Sequence, residues 1–193
     1  MEMRLGKGEA GYIDQKKKKE LLKVILEFGI VLALFITGYI TTKTRLNLLT
    51  LVAVLGCLPA SKAMVGFLML LPRKSLAKEN VDLVEKKGQH LTKLYDMVLT
   101  SYEHVMPVES IVIQGNTICG YASNEKLDFA YLEKYIRTTL KNNKYDKVSV
   151  KMFKDYSTYI ARVEAMDNLA VDSAVKNKKQ EEEIKEIILT LSM

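Results

Sequence analysis

The chain has no tryptophan, three prolines, two cysteines and two histidines in its 193 residues. Each shortage removes a class of explanation. Cys57 lies inside an apolar run and Cys119 in a predicted strand, so no disulfide framework is expected, which suits a reducing compartment. His90 and His104 make no metal-ligand spacing with either cysteine, and no metal or cofactor is expected. Neither a Walker pattern nor G-x-G-x-x-G occurs, and there is no G-x-S-x-G elbow. Without tryptophan, the ten tyrosines are expected to supply the large side chains of the core. The first apolar run is long, starts late and lacks a small-residue cleavage site, so it does not read as a cleavable leader.

Charge is scarce in one stretch. Residues 24–72 hold only Glu27, Lys43, Arg45 and Lys62. Within it, Val24–Ile40 and Leu46–Pro72 are apolar runs. About 20 apolar residues rising about 1.5 Å each cross a hydrocarbon core of about 30 Å. Backbone groups in lipid must be satisfied internally, so both runs should be helical. Only Lys43, Thr44 and Arg45 separate them, which predicts an antiparallel hairpin.

The formal net charge is +6. Much of the excess flanks the apolar runs, at Lys16–Lys19, Lys23, Arg73, Lys74 and Lys78. Flanking cations are topology signals, so nucleic acid is not the expected partner. The positive-inside rule places both termini in the cytoplasm and the tight loop outside, giving a two-span protein of the cell membrane.

The second run exceeds one crossing and contains Pro59 and Lys62. Ala63–Leu71 therefore either continues a long tilted helix or re-enters the bilayer. Glu27 and Lys62 are nearly equidistant from Thr44, so they sit at similar depth. They are a candidate intramembrane ion pair, against the alternative that Lys62 snorkels alone to the headgroups.

The expected organisation is a basic cytoplasmic N-terminal segment (1–23), a two-span transmembrane hairpin (24–72), a connecting segment with a helix over about 79–92 (73–92), and a small soluble α/β (α+β) domain (93–193). Leu94–Tyr102 reads as a strand, and Pro107 marks a link to the next element. Two β-rich runs around Gly115-Asn116 predict a hairpin with a type II′ turn, apolar on both faces near Ile111–Ile113 and therefore mid-sheet. The next helix is expected to show Leu127, Ala130, Tyr131, Lys134, Tyr135 and Thr138 on one face, with Leu140 near its end. Lys147–Phe153 alternates as a strand with Val148, Val150 and Met152 inward. Asp155 caps a helix bearing Tyr156, Tyr159, Ile160, Val163 and Met166. An amphipathic helix over Lys176–Met193 must dock on something. The runs Lys16–Lys19 and Glu181–Glu183 read as solvated faces. The order after the anchor is α-β-β-β-α-β-α-α.

The part α-β-β-β-α-β resembles the core of the restriction-endonuclease-like fold, by order of elements alone. That resemblance implies an Asp on the second strand and Glu-x-Lys on the third, holding Mg²⁺. Ile111-Val112-Ile113-Gln114 and Thr117–Tyr121 carry neither, which argues against a nuclease.

Three functional readings follow. The leading one is a non-enzymatic interaction or regulatory module held at the cytoplasmic face of the bilayer, with a protein partner or a second copy as its ligand. Loops carry most binding residues, which singles out Tyr102, Glu103, His104 and Asn124 as a candidate rim. The second is an enzyme with a site around Cys119, His104 and Glu103. The third is a subunit of a membrane complex or transporter in which the hairpin, through Glu27 and Lys62, is the working part.

Overall fold

The computed structural model of the chain describes residues 5–43, 48–102, 104–170 and 178–192. Thr44 and Arg45 of the expected loop, Glu103 of the rim and Lys176 of the terminal helix lie outside the described residues. The chain divides into two units. One is Ile13–Lys74, and the other combines Met1–Tyr12 with Ser75–Met193.

The first unit holds two long apolar helices, α1 (Tyr12–Thr42) and α2 (Leu48–Leu70). Their most apolar stretches have mean hydropathies of 2.2 and 1.9, and only 6 % and 11 % of those stretches is buried. A core helix of a soluble protein would be mostly covered, whereas these are long and apolar enough to cross a membrane. The helix α1 begins well before Val24 and takes in Lys16–Lys19. Its polar end is braced by Lys19 on Gln15 (3.0 Å) and Lys23 on Glu20 (2.8 Å). Pro59 lies inside α2 without ending it, so Ala63–Leu70 continues the second helix. At about 1.5 Å per residue α2 is about 35 Å long, enough for one crossing.

Small residues line the α2 side of the seam. Ala53 and Ala60 are buried, and a Cβ added at Gly56 would lie 3.0 Å from Val31 Cγ2. Gly56 of α2 therefore faces Val31 of α1. Counting outward from that contact, Glu27 is level with Ala60, and Lys17 is level with Leu70.

The second unit is a four-stranded sheet of order β1-β2-β3-β4, with β1 Thr92–Thr100, β2 Val105–Gln114, β3 Thr117–Tyr121 and β4 Ser149–Phe153. The first three strands form an antiparallel meander, and β4 lies parallel to β3. The crossover between them is α4 (Phe129–Asn142). The remaining helices are α3 (Lys78–Lys87), α5 (Tyr156–Ala170) and α6 (Lys178–Thr190). The observed order α-β-β-β-α-β-α-α is the expected one.

Helices cover both faces of the sheet. On one face Ile111, Ile113, Ile118 and Val150 pack with Leu132, Ile136 and Leu140 of α4 and Ile184 and Ile188 of α6. On the other, Val112 and Cys119 pack with Val84 of α3 and Tyr159, Val163 and Met166 of α5. This is why Ile111–Ile113 is apolar on both faces: β2 is an inner strand. Gly115 takes φ 52° while Asn116 stays out of the positive region, as a II′ turn requires. Asp155 caps α5. The Ser157 and Thr158 hydroxyls and the Thr158 N–H all bond its Oδ2, at 2.6, 2.6 and 2.8 Å, and hold the carboxyl at about 2.

Four expectations are corrected. The connecting helix ends at Lys87 rather than near residue 92, because Gly88 closes it and Thr92 already belongs to β1. Pro107 is not in a link but within β2, opposite Val98. Beyond Ser110 that strand has no β3 neighbour, so a residue lacking an N–H breaks no ladder bond on that side. The buried face of α4 runs through Leu132, Ile136 and Leu140, while Ala130, Lys134 and Thr138 are exposed. Finally, Glu181 is not solvated but buried at the inner side of α6. The α4 face is easily checked: Ile136→Val should cost about 1 kcal/mol in denaturant unfolding, and Lys134→Ala less than about 0.5 kcal/mol.

Candidate functional site

The strands β1 and β3 both run antiparallel to β2, so their C-terminal ends meet at one end of the sheet. The turn between β1 and β2 lies there and is closed by Ser101 N–H on His104 O (2.9 Å) and His104 N–H on Ser101 Oγ (3.1 Å). Tyr102 at its tip is fully exposed. From one side α4 brings Tyr131 and Tyr135, one helical turn apart, with rings stacked at 6.4 Å and 5°. The His104 ring meets Tyr131 edge-on at 4.7 Å. Both phenols point inward: Tyr131 OH donates to Ser101 Oγ (3.1 Å) and Tyr135 OH to Thr100 O (2.8 Å). Their hydroxyls are therefore spent on holding the turn, and their ring faces are left for contact. Thr100, Ser101, Tyr102, Tyr131 and Tyr135 line an open cavity of about 570 Å³.

The structure thus brings Tyr102 and His104 together with Tyr131 and Tyr135, two of the residues expected on one face of α4. Asn124 lies beyond β3 at the same end of the sheet, outside that cavity. Its Oδ1 accepts from Lys126 N (3.0 Å) and its carbonyl from Leu127 N (3.1 Å), so it shapes the lead-in to α4. Glu109 of β2 accepts from Ser123 N (3.0 Å) and from the Ser123 hydroxyl, which fixes the start of the same loop.

Cys119 does not join His104. The thiol is fully buried on the α5 face, and His104 packs on the α4 face. Burial pushes the Cys119 thiol up, and nearby Arg162 only partly opposes this. A buried neutral thiol is a poor nucleophile. Beside it the Tyr159 hydroxyl is paired with Ser110 Oγ at 2.7 Å. His90 is tied to α5: its N–H and Nδ1 lie 2.7 and 3.2 Å from the Asp167 carboxylate. Among the described residues no group of three His, Cys, Asp or Glu could hold a metal ion.

In the helical hairpin, Glu27 is half-buried and its Oε2 is enclosed, with no hydrogen-bond partner among the described residues. Lys62 is exposed. Lys62 is two residues, about 200°, around α2 from the seam residue Ala60, so no ion pair with Glu27 forms here.

No family model, no curated protein and no solved structure matches this chain.

Proposed function

We propose that this chain is a membrane-anchored interaction module. In this reading α1 and α2 cross the bilayer as a hairpin, both termini are cytoplasmic, and the α+β domain offers the Tyr102–His104–Tyr131–Tyr135 rim to a protein partner. The rim carries the reading. A fully exposed tyrosine beside two stacked tyrosines with tethered hydroxyls supplies rigid aromatic surface at little entropic cost. Such residues dominate the energetics of protein interfaces. The cation excess at the polar ends of the hairpin supports the orientation.

Affinity capture from a detergent extract tests the rim. The wild-type chain should retain a stoichiometric protein partner, and Tyr102→Ala should weaken it at least tenfold while leaving thermal stability unchanged, since that side chain is fully exposed. Full retention by Tyr102→Ala and Tyr131→Ala together would refute the assignment. Orientation has its own test. Single cysteines at Lys43 or Lys126, in a chain lacking Cys57 and Cys119, should label with an impermeant reagent at residue 43 only. Labelling at residue 126 in intact cells would place the domain outside.

A second reading makes the hairpin itself the working part of a membrane complex, and the enclosed Glu27 carboxylate supports it. The Glu27–Lys62 pair belongs to this reading. Exchanging the two charges should rescue the losses seen in single variants if the pair forms in the assembled complex.

A further inference from the structure

Arg73 follows the end of α2 and is only 9 % exposed. Its Nη1 is enclosed, with no hydrogen-bond partner among the described residues. A guanidinium cannot discharge itself at physiological pH, so an enclosed, unsatisfied N–H on it is costly unless an anion meets it. No carboxylate among the described residues does so: their eight ion pairs leave Arg73 out. The Lys17 ammonium reaches the same residue's backbone, its Nζ donating to the Arg73 carbonyl. Among the described residues Lys17 has one ion-pair partner, Asp14, at a loose 3.9 Å.

The surroundings share the sign. Residues 13–23 and 73–74 carry Lys16, Lys17, Lys18, Lys19, Lys23, Arg73 and Lys74 against only Asp14 and Glu20, and Glu20 is bonded to Lys23. The hairpin register puts Lys17 level with the last turn of α2. The cations therefore gather where the apolar part of both helices stops, which is the depth of the headgroups in a spanning hairpin.

We infer that Lys17 and Arg73 form a binding site for the phosphate of an anionic phospholipid at the foot of the hairpin. The planar fork of Arg73 donates paired N–H bonds to phosphate oxygens, and Lys17 adds a point charge. The inference rests on the spanning reading of α1 and α2 given above. It goes beyond that reading by naming a lipid class and two residues.

The test uses the full chain purified in detergent. Phosphatidylglycerol, phosphatidylcholine or inorganic phosphate is added, and the thermal midpoint and the lipid retained in native mass spectra are read. Phosphatidylglycerol should raise the wild-type midpoint and stay bound, and the other two should do neither. Arg73→Gln should bind phosphatidylglycerol about tenfold more weakly or worse, Arg73→Lys should fall between, and Lys126→Gln should behave as wild type. If Arg73→Gln does not fold, Lys17→Gln carries the same expectation. Equal effects of phosphatidylcholine would overturn the proposal, as would a matching shift from inorganic phosphate or unchanged binding by the folded variant. An alkaline carbonate wash of membranes separates the two claims. Release of the chain would remove the spanning reading and this site with it, whereas retention together with unchanged lipid binding in Arg73→Gln would remove the site alone.

Discussion

Asp96→Ala should destabilise the α+β domain by about 3–5 kcal/mol. Asp96 is buried at 2 % exposure within β1, yet it takes a left-handed φ of 52°. The β1–β2 ladder skips it, pairing Tyr95 with Ser110 and then Met97 with Val108. Its carboxylate accepts from Gly11 N–H (2.7 Å) and Leu76 N–H (3.2 Å), so one side chain ties down both segments where the chain enters and leaves the hairpin. Alanine would keep the strained backbone and leave both N–H groups without this acceptor. Glycine would relieve the backbone but still lose both bonds, costing about 2–3 kcal/mol. Asparagine tolerates the left-handed region and keeps one acceptor, costing about 1 kcal/mol. The order Ala, Gly, Asn in urea midpoints identifies the cause. If glycine were more stable than wild type, relief of the backbone would outweigh the two bonds and the clamp would not be what holds this residue in place.

Asp96 also marks the limit of what could be read from the residues. The elements themselves were legible, because their patterns are local. Alternation at Val148, Val150 and Met152 and the Gly115-Asn116 turn need only neighbours in sequence. In β1 the alternation breaks: Leu94 and Met97, three apart, face the same core, and so do Val108 and Ile111 in β2. The two strands change phase together at Asp96, which keeps the register, and nothing in a period-two reading announces that shift. The segment Leu5–Gly11 was equally hidden. It reads as part of a basic leader to the hairpin, but Gly8 O accepts from Tyr95 N–H at 2.7 Å and Lys7 Nζ donates to Ser192 O at 3.1 Å, so it packs against the domain. Contacts between residues so distant in sequence leave no local trace.

The candidate sites divide along the same line. Tyr102 and His104 could be found because they sit in a loop between two strands. Tyr131 and Tyr135 lie at the border of the buried face of α4, packed against the core only in part. Their 3.6-residue spacing is real, but Leu132, Ile136 and Leu140 have the same spacing one position on, and three aliphatic side chains fill the space under a sheet better than two phenols that need partners. For Glu27 and Lys62, counting from the loop gives depth along an axis and says nothing of rotation about it. Rotation is set by which side of α2 can approach α1, and that is the side with Ala53, Gly56 and Ala60.

Glu181→Ala should cost about 2–4 kcal/mol and loosen α6 from the sheet. A charged residue at a run of three glutamates is an ordinary solvated position, and Glu182 and Glu183 behave so. Glu181 instead turns inward from the first turn of α6. Its Oε1 accepts the buried Gly115 N–H at 2.7 Å, and its Oε2 accepts the Thr92 hydroxyl at 2.9 Å. It thereby joins the terminal helix to the β2–β3 turn and to the start of β1. Gly115 must keep its positive φ for the II′ turn, so its amide cannot swing to another acceptor without disturbing the hairpin. Truncation to alanine leaves that N–H buried and unpaired, whereas Glu181→Gln retains an acceptor oxygen and should cost about 1 kcal/mol. Amide hydrogen exchange separates this local role from a general loss of stability. In Glu181→Ala the Gly115 amide should exchange far faster than the β2 amides of Val112 and Ile113, which remain covered on both faces of the sheet. Uniform acceleration across β2 would mean that the carboxylate supports the whole domain rather than the docking of α6.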